Sequence, residues 1–237
     1  MEPAVIPLES NPEIFTQLAG HLGLSPLLGF HDVYSISDPS LLAFLPQPVY
    51  GVILLFPLTE QYETYRKAQD TNVSLGSESI NWFKQTIKNG CGLYALLHLL
   101  ANVSKSLVIN NSPLDRFLTE LKLVGNDEVE YSHLIQNLEK SIKLDDNFGS
   151  QGQTQAPSSE DDINFHFITF IKGQDNHSYE LDGRRKGPID LTGSSTPSSS
   201  PSVLEDPTVV EKIQYYMDMA GEQNAYFSLM ALAPSMD

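Results

Sequence analysis

The stretch Gln85-Thr86-Ile87-Lys88-Asn89-Gly90-Cys91-Gly92, running into Leu93-Tyr94-Ala95-Leu96-Leu97-His98-Leu99-Leu100, decides how this chain is read. An apolar run of that length without a polar stripe predicts a helix buried on every side, wedged between a sheet and other helices. Cys91, the chain's only cysteine, stands at the start of that helix. Unpaired backbone N–H groups and the positive end of the helix dipole stabilise a thiolate there, below the ordinary thiol pKa of about 8.5. Gln85, six residues upstream, is near enough to fold back beside the sulfur and join the Cys91 N–H in an oxyanion hole. A free cysteine is also a common small hydrophobe of protein cores. A catalytic reading therefore needs a base elsewhere in the chain.

Outward from this helix, four cap-proline pairs mark helix starts: Asn11-Pro12, Asp38-Pro39, Ser112-Pro113 and Asp206-Pro207. They predict helices near 11–22, 38–45, 112–123 and 207–219, and further helical pattern covers 59–69, 92–103 and 127–143. Strand-like runs fall at 5–6, 32–36, 49–56, 163–171, 178–182, 189–191 and 225–232. Helices cluster in the middle and strands come mostly from the two ends. This predicts an α+β fold of one domain over residues 1–237, with a central antiparallel sheet flanked by helices. Two polar stretches interrupt the pattern. Residues 145–162 are either a lid beside a site or a disordered insertion, and the Ser-rich stretch 192–202 reads as a flexible linker.

Composition narrows the function classes. The chain has 237 residues with 41% hydrophobic content, enough for a sizeable core. Its start is acidic without a basic region, and its longest apolar stretch, Tyr50 to Leu58, is too short for a bilayer. The expectation is a soluble, unsecreted protein of the cytoplasm, with nuclear entry left open. A single cysteine excludes an internal disulfide and any multi-cysteine zinc site. Thirty acidic against fourteen basic residues give a net charge of -16, which repels nucleic acid and favours a partner with basic features.

Of the six histidines, His166 has the geometry of a base. Phe165-His166-Phe167-Ile168-Thr169-Phe170-Ile171 alternates as a strand, Lys172 to Asn176 supplies a turn, and His177-Ser178-Tyr179-Glu180-Leu181-Asp182 returns. If Ile171 pairs with His177, His166 lies directly opposite Asp182 on the same face, within reach of its carboxylate. His98 is two helical turns from Cys91, about 10 Å away, and reads as core. His21, His31, His133 and His177 read as boundary residues, and no pair has the helical spacing of a zinc site. Cys91, His166 and Asp182 thus form a nucleophile, base and orienting acid, with Gln85 as oxyanion donor.

Four blocks together resemble the ubiquitin C-terminal hydrolases, a papain-like cysteine peptidase family: Pro7-Leu8-Glu9-Ser10-Asn11-Pro12-Glu13, Gln85 to Gly92, Asn164 to Ile168, and Tyr179-Glu180-Leu181-Asp182-Gly183-Arg184. Their order and spacing are similar to those of the short, single-domain members. The resemblance implies a papain-like two-lobed domain and a deubiquitinating thiol hydrolase that removes small adducts or peptide extensions from the terminal glycine of ubiquitin, or of a close ubiquitin-like protein. It implies Cys91, His166, Asp182 and Gln85 in the four chemical roles, and a crossover loop at 145–162. Glu9, Asn11 and Asp32 fall where similar proteins meet ubiquitin, although Glu9 and Asn11 also suit the cap of the first helix. No metal or organic cofactor is implied, and a monomer is expected. Gly90 and Leu93 depart from the family's more usual Ala or Ser and Thr.

Overall fold

The computed structural model describes residues 3–70, 80–125, 127–149 and 164–236. A six-stranded antiparallel sheet runs through its centre in the order β1-β6-β2-β3-β4-β5. The strands are β1 (Leu28–Asp32), β2 (Gly51–Pro57), β3 (Phe165–Lys172), β4 (Ser178–Leu181), β5 (Ile189–Asp190) and β6 (Ser228–Pro234). The helices are α1 (Pro12–Leu22), α2 (Pro39–Leu42), α3 (Glu60–Gln69), α4 (Cys91–Leu100), α5 (Pro113–Val124), α6 (Glu128–Ile142) and α7 (Pro207–Ala220). Asn11, Asp38, Ser112 and Asp206 each accept a backbone N–H at the start of their helix. The cap-proline pairs mark these starts because proline lacks an N–H that the first helical turn would leave unpaired.

Alternation along the strands sends side chains into two cores. Ile53 of β2, Phe167 and Ile171 of β3, and Met230 and Leu232 of β6 face a layer built from α1, α4, α5 and α6. Their neighbours Val52, Leu54, Phe56, Ile168, Phe170, Ala231 and Ala233 face Tyr62 of α3 and Val209, Ile213 and Tyr216 of α7. Both faces of the central strands are covered, which is why β2 reads as a continuous apolar run rather than an alternating one. Helix α4 lies in the first layer with every residue from Gly92 to Leu100 buried. Each leucine removed from water contributes about 1.5–3 kcal/mol to holding it there.

Three local readings change. The first strand spans Leu28–Asp32 rather than 32–36, because Leu28 to Asp32 pair along β6, whereas the Ser35 hydroxyl accepts the N–H groups of Ser37 and Asp38 and turns the chain away. Residues 5–6 form no strand: Val5 donates to the Lys88 carbonyl at 3.1 Å beside a single bridge between Ala4 and Lys88. The β3–β4 hairpin pairs Lys172 with Ser178, not Ile171 with His177. Ser178 is drawn into the sheet because its hydroxyl donates to Asp206 and its N–H to the Thr192 hydroxyl, both inside the fold. The same contacts tie down the start of the Ser-rich stretch, and its end is held where Ser202 Oγ accepts the Val49 N–H and donates to Gln47. The loop expected at 145–162 lies outside the described residues from 150 onward. At its start a single π-type turn, Asp145–Gly149, buries Phe148 against the ring of His21.

Midway along α4 a buried hydrogen bond ties the helix to the sheet: Thr169 Oγ1 of β3 donates to the Ala95 carbonyl at 2.7 Å. Thr169→Val keeps the shape and leaves that carbonyl its helical partner, so the urea-unfolding free energy should fall by about 1 kcal/mol with an unchanged slope.

Candidate active site

The loop that presents Cys91 is held from both sides. Lys88 donates its N–H to the Pro3 carbonyl at 2.8 Å, and Thr86 donates its N–H to the Tyr94 hydroxyl at 3.2 Å. Asn89 then adopts φ 59°, a left-handed conformation that asparagine tolerates, and Gly90 donates to Ile87 across the turn at 3.1 Å. The chain enters α4 with Cys91 as its first residue and no side chain capping it. The first N–H groups of the helix are therefore left for the site.

His166 stands on β3 opposite Phe56, at the end of the sheet nearest the start of α4. Its Nε2 donates to Asp182 Oδ1 at 2.7 Å, which leaves Nδ1 for the hydrogen bond that the ring makes with the Cys91 thiol. The shifted hairpin register offsets His166 and Asp182 by one diagonal step. Because the shift preserves the side-chain parity, both stay on one face, and two long side chains bridge the offset. Cys91, His166 and Asp182 are brought together, and Gln85 packs against Gly183, next to Asp182.

The electrostatics make a charged pair. Burial alone would raise the Cys91 thiol, but the hydrogen bond and charge of His166, with the N–H groups of Phe167 and Gly92, hold it below its ordinary value. Burial alone would likewise lower His166. The charge of Asp182 and its hydrogen bond, followed by those of Cys91, push the imidazole up to about 9. Asp182 is fully buried, and His166, the Tyr62 hydroxyl and the Arg184 N–H hold its carboxyl far below the usual carboxylate range against that burial. The resting site thus favours thiolate and imidazolium, the form that attacks and then protonates.

Gln85 lies alongside. Its backbone N–H donates to the Gly183 carbonyl at 2.9 Å, and its Nε2 donates to Ile87 at 3.1 Å. Its buried Oε1 has no hydrogen-bond partner among the described residues. A Cβ on Gly183 would come within 2.9 Å of Gln85 Cβ, so only glycine lets the chain after β4 pass so close to Gln85.

Asn11 caps α1, accepting the Glu13 N–H at 2.9 Å, and its amide donates to Glu9 at 3.4 Å. The neighbouring Ser10 hydroxyl meets that of Ser228, at the end of β6 where Asp32 pairs with Met230. Glu9, Asn11 and Asp32 thus gather along the same end of the sheet as His166. Asp32 is exposed, beside Tyr34 and Phe44, whose side chains are 77% and 76% exposed. The remaining histidines stand apart. His98 is buried against Phe83 and Trp82 and accepts the Phe83 N–H, and burial lowers it to about 4. His177 makes an outer pair with Asp190, and His31 meets the Pro234 carbonyl. Among the described residues no group of three or more His, Cys, Asp or Glu could hold a metal ion.

The model of the family "Ubiquitin carboxyl-terminal hydrolase, family 1" matches residues 5–218. This chain belongs to that family. Among its relatives, ubiquitin carboxyl-terminal hydrolase YUH1 of Saccharomyces cerevisiae is 38% identical over 99% of this chain and 98% of its own length. Ubiquitin carboxyl-terminal hydrolase isozyme L1 of Rattus norvegicus is 33% identical over 84% of this chain and 86% of its own. In fold the chain matches the Trichinella spiralis UCH37 catalytic domain, solved bound to ubiquitin vinyl methyl ester, with a TM-score of 0.73 at 23% identity, covering 99% of this chain and 97% of that one. The architecture is accordingly the papain-like one.

This hydrolase also surrounds Asp182 with residues that its sequence does not announce. Tyr62 donates to Oδ2 at 2.5 Å, Arg184 donates its N–H to Oδ1 at 2.7 Å, and Trp82 Nε1 donates to the Asp182 carbonyl at 3.0 Å. Only the Arg184 contact has a local signal, since an aspartate commonly accepts the N–H two residues on. For an amide-linked substrate, kcat/KM against pH should be bell-shaped. Its acid limb falls below the ordinary thiol pKa of about 8.5 as Cys91 deprotonates, and its alkaline limb falls near 9 as His166 loses its proton. Alkylation of Cys91 by iodoacetamide should already be fast at neutral pH.

Proposed function

We propose that this ubiquitin carboxyl-terminal hydrolase cleaves the bond at the terminal glycine of ubiquitin through an acyl-enzyme on Cys91. The observation that carries this reading is the convergence of three residues distant in sequence: a thiol hydrogen-bonded to an imidazole that is itself 2.7 Å from a buried carboxylate. The thiolate attacks the glycine carbonyl, forming a C–S bond while the carbonyl electron pair moves to oxygen. The Cys91 N–H and the Gln85 side-chain amide stabilise that oxyanion. Collapse breaks the C–N bond as His166 gives its proton to the departing amine. His166 then takes a proton from water, which attacks the thioester and releases the carboxylate and the thiolate. Asp182 holds the ring in the tautomer and orientation that both steps need.

For recognition, we assign Asp32, with Glu9 and Asn11 nearer the nucleophile, to the basic tail of ubiquitin, whose arginines form charge-assisted hydrogen bonds with carboxylates. Asp32 and the exposed rings of Tyr34 and Phe44 offer one charged and two apolar contacts on the same end of the sheet. A nucleophile that must stay reduced fits the cytoplasm, and we place the enzyme there.

Cys91→Ser should reduce hydrolysis of a ubiquitin C-terminal fluorophore to background while ubiquitin still binds in calorimetry. Turnover retained in that variant would remove Cys91 from the role. The wild-type enzyme should greatly prefer this substrate to the same fluorophore on a bare tail peptide. Asp32→Lys should raise KM severalfold with kcat nearly unchanged, as expected for contacts made equally in the ground and transition states.

A further inference from the structure

Helix α3 is polar along most of its length and buries one residue within it, Tyr62. That side chain does not simply fill the core. Its ring packs edge-on against Phe56 at 4.7 Å and against Tyr216 at 5.9 Å, and its hydroxyl points at Asp182 Oδ2, 2.5 Å away. The other oxygen of the carboxylate takes His166 and the Arg184 N–H.

A competitor stands behind the carboxylate. Arg185 is a fully buried guanidinium that donates to Glu180 Oε1 at 2.8 Å and to the Tyr216 hydroxyl at 3.1 Å, with Asp70 at 3.5 Å. Its Nε is 3.9 Å from Asp182 Oδ2, too long for a hydrogen bond but close enough to attract a carboxylate in a water-free interior. Small rotation of the Asp182 side chain would let Oδ2 reach Arg185 and would draw Oδ1 off His166. Tyr62 supplies the only hydrogen bond to Oδ2 among the described residues, and its ring is wedged so that the hydroxyl cannot follow such a rotation.

We propose that Tyr62 is a positioning residue that locks the Asp182 carboxylate onto His166 against the pull of the buried Arg185. The proposal rests on the reading of Cys91, His166 and Asp182 as the reacting set. Without the hydroxyl, Oδ2 becomes a buried acceptor with no donor in range, a costly state that rotation toward Arg185 relieves. His166 then loses the contact that keeps it protonated. The other groups facing this cluster are the charges of Arg66 of α3 and Lys84 ahead of α4, the neutral ring of His98 of α4, and Glu180 of β4, which bears on Tyr62. None of these is hydrogen-bonded to Oδ2.

Tyr62→Phe keeps the wedged ring and removes only the hydroxyl. Its kcat on the ubiquitin fluorophore should fall about tenfold, part of the 10²–10⁴ that a positioned base supplies, with KM unchanged. The alkaline limb of kcat/KM should move down by about one pH unit as His166 becomes less basic, and the onset of Cys91 alkylation should move up as the thiolate loses part of its imidazolium partner. Adding Arg185→Met removes the competitor, while Glu180 keeps Tyr216 and Lys212 and Asp70 keeps Arg66. The double variant should recover about threefold or more of the lost kcat. A core variant remote from the site, Leu138→Ala, should lower the melting temperature and leave both pH limbs in place, the pattern of a merely structural role. Unmoved limbs in Tyr62→Phe, a kcat within twofold of wild type, or no recovery in the double variant would each overturn the proposal. Asp182→Asn separates the two claims. If it loses activity while Tyr62→Phe behaves as wild type, only the positioning role fails, whereas full activity in Asp182→Asn removes the catalytic reading beneath it.

Discussion

A carboxylate sealed from water has to be satisfied completely, and at Asp182 that requirement organises much of the molecule. Its two oxygens take the imidazole of β3, a hydroxyl from α3 and a main-chain N–H from the turn after β4, while its own carbonyl takes the Trp82 indole. These donors come from the sheet, from the α3–α7 layer, from the turn after β4 and from the segment leading to Cys91. Each must be placed to within a fraction of an ångström, since a missing partner would cost on the order of 1–3 kcal/mol and free the carboxylate to turn. The catalytic geometry therefore follows from burial.

The layering explains where the site lies. Helix α4 belongs to the core on one face of the sheet, whereas His166 and Asp182 share the other face with Phe56 and Tyr62. Thiol and imidazole can meet only at the end of the sheet, where the helix begins and β3 begins. The Thr169–Ala95 hydrogen bond and the buried length of α4 fix that meeting point. The thiolate then receives help from the Gly92 N–H of α4, the Phe167 N–H of β3 and His166.

Helix starts, the buried α4 and the hairpin were legible because their signals are local: a cap before proline, an unbroken apolar run, and alternation around a turn. The four candidate site residues could be chosen from type, spacing and parity, and parity held although the register did not. A shift that moved Lys172 opposite Ser178 depended on Ser178 reaching Asp206 and Thr192, contacts from distant segments that no window around the hairpin contains. The first strand was misplaced for a related reason, since Leu28 to Asp32 acquires strand character by pairing with β6 near the other terminus. Tyr62 and Arg185 were invisible because a single aromatic on a polar helix, and an arginine after a turn, give no hint of complete burial. Only tertiary packing reveals them.

The distribution of cations has a further effect. Arg66, Lys84, Lys172, Arg185 and Lys212 all turn their charges inward, onto carboxylates, backbone carbonyls or tyrosine rings. In a chain of net charge -16, this leaves the outward field more one-signed than the count of acids and bases suggests. A polypeptide tail carrying arginines would be guided in from beyond contact distance, so encounter would slow as added electrolyte shortens the reach of that field, while the chemistry on the sheltered pair would scarcely notice.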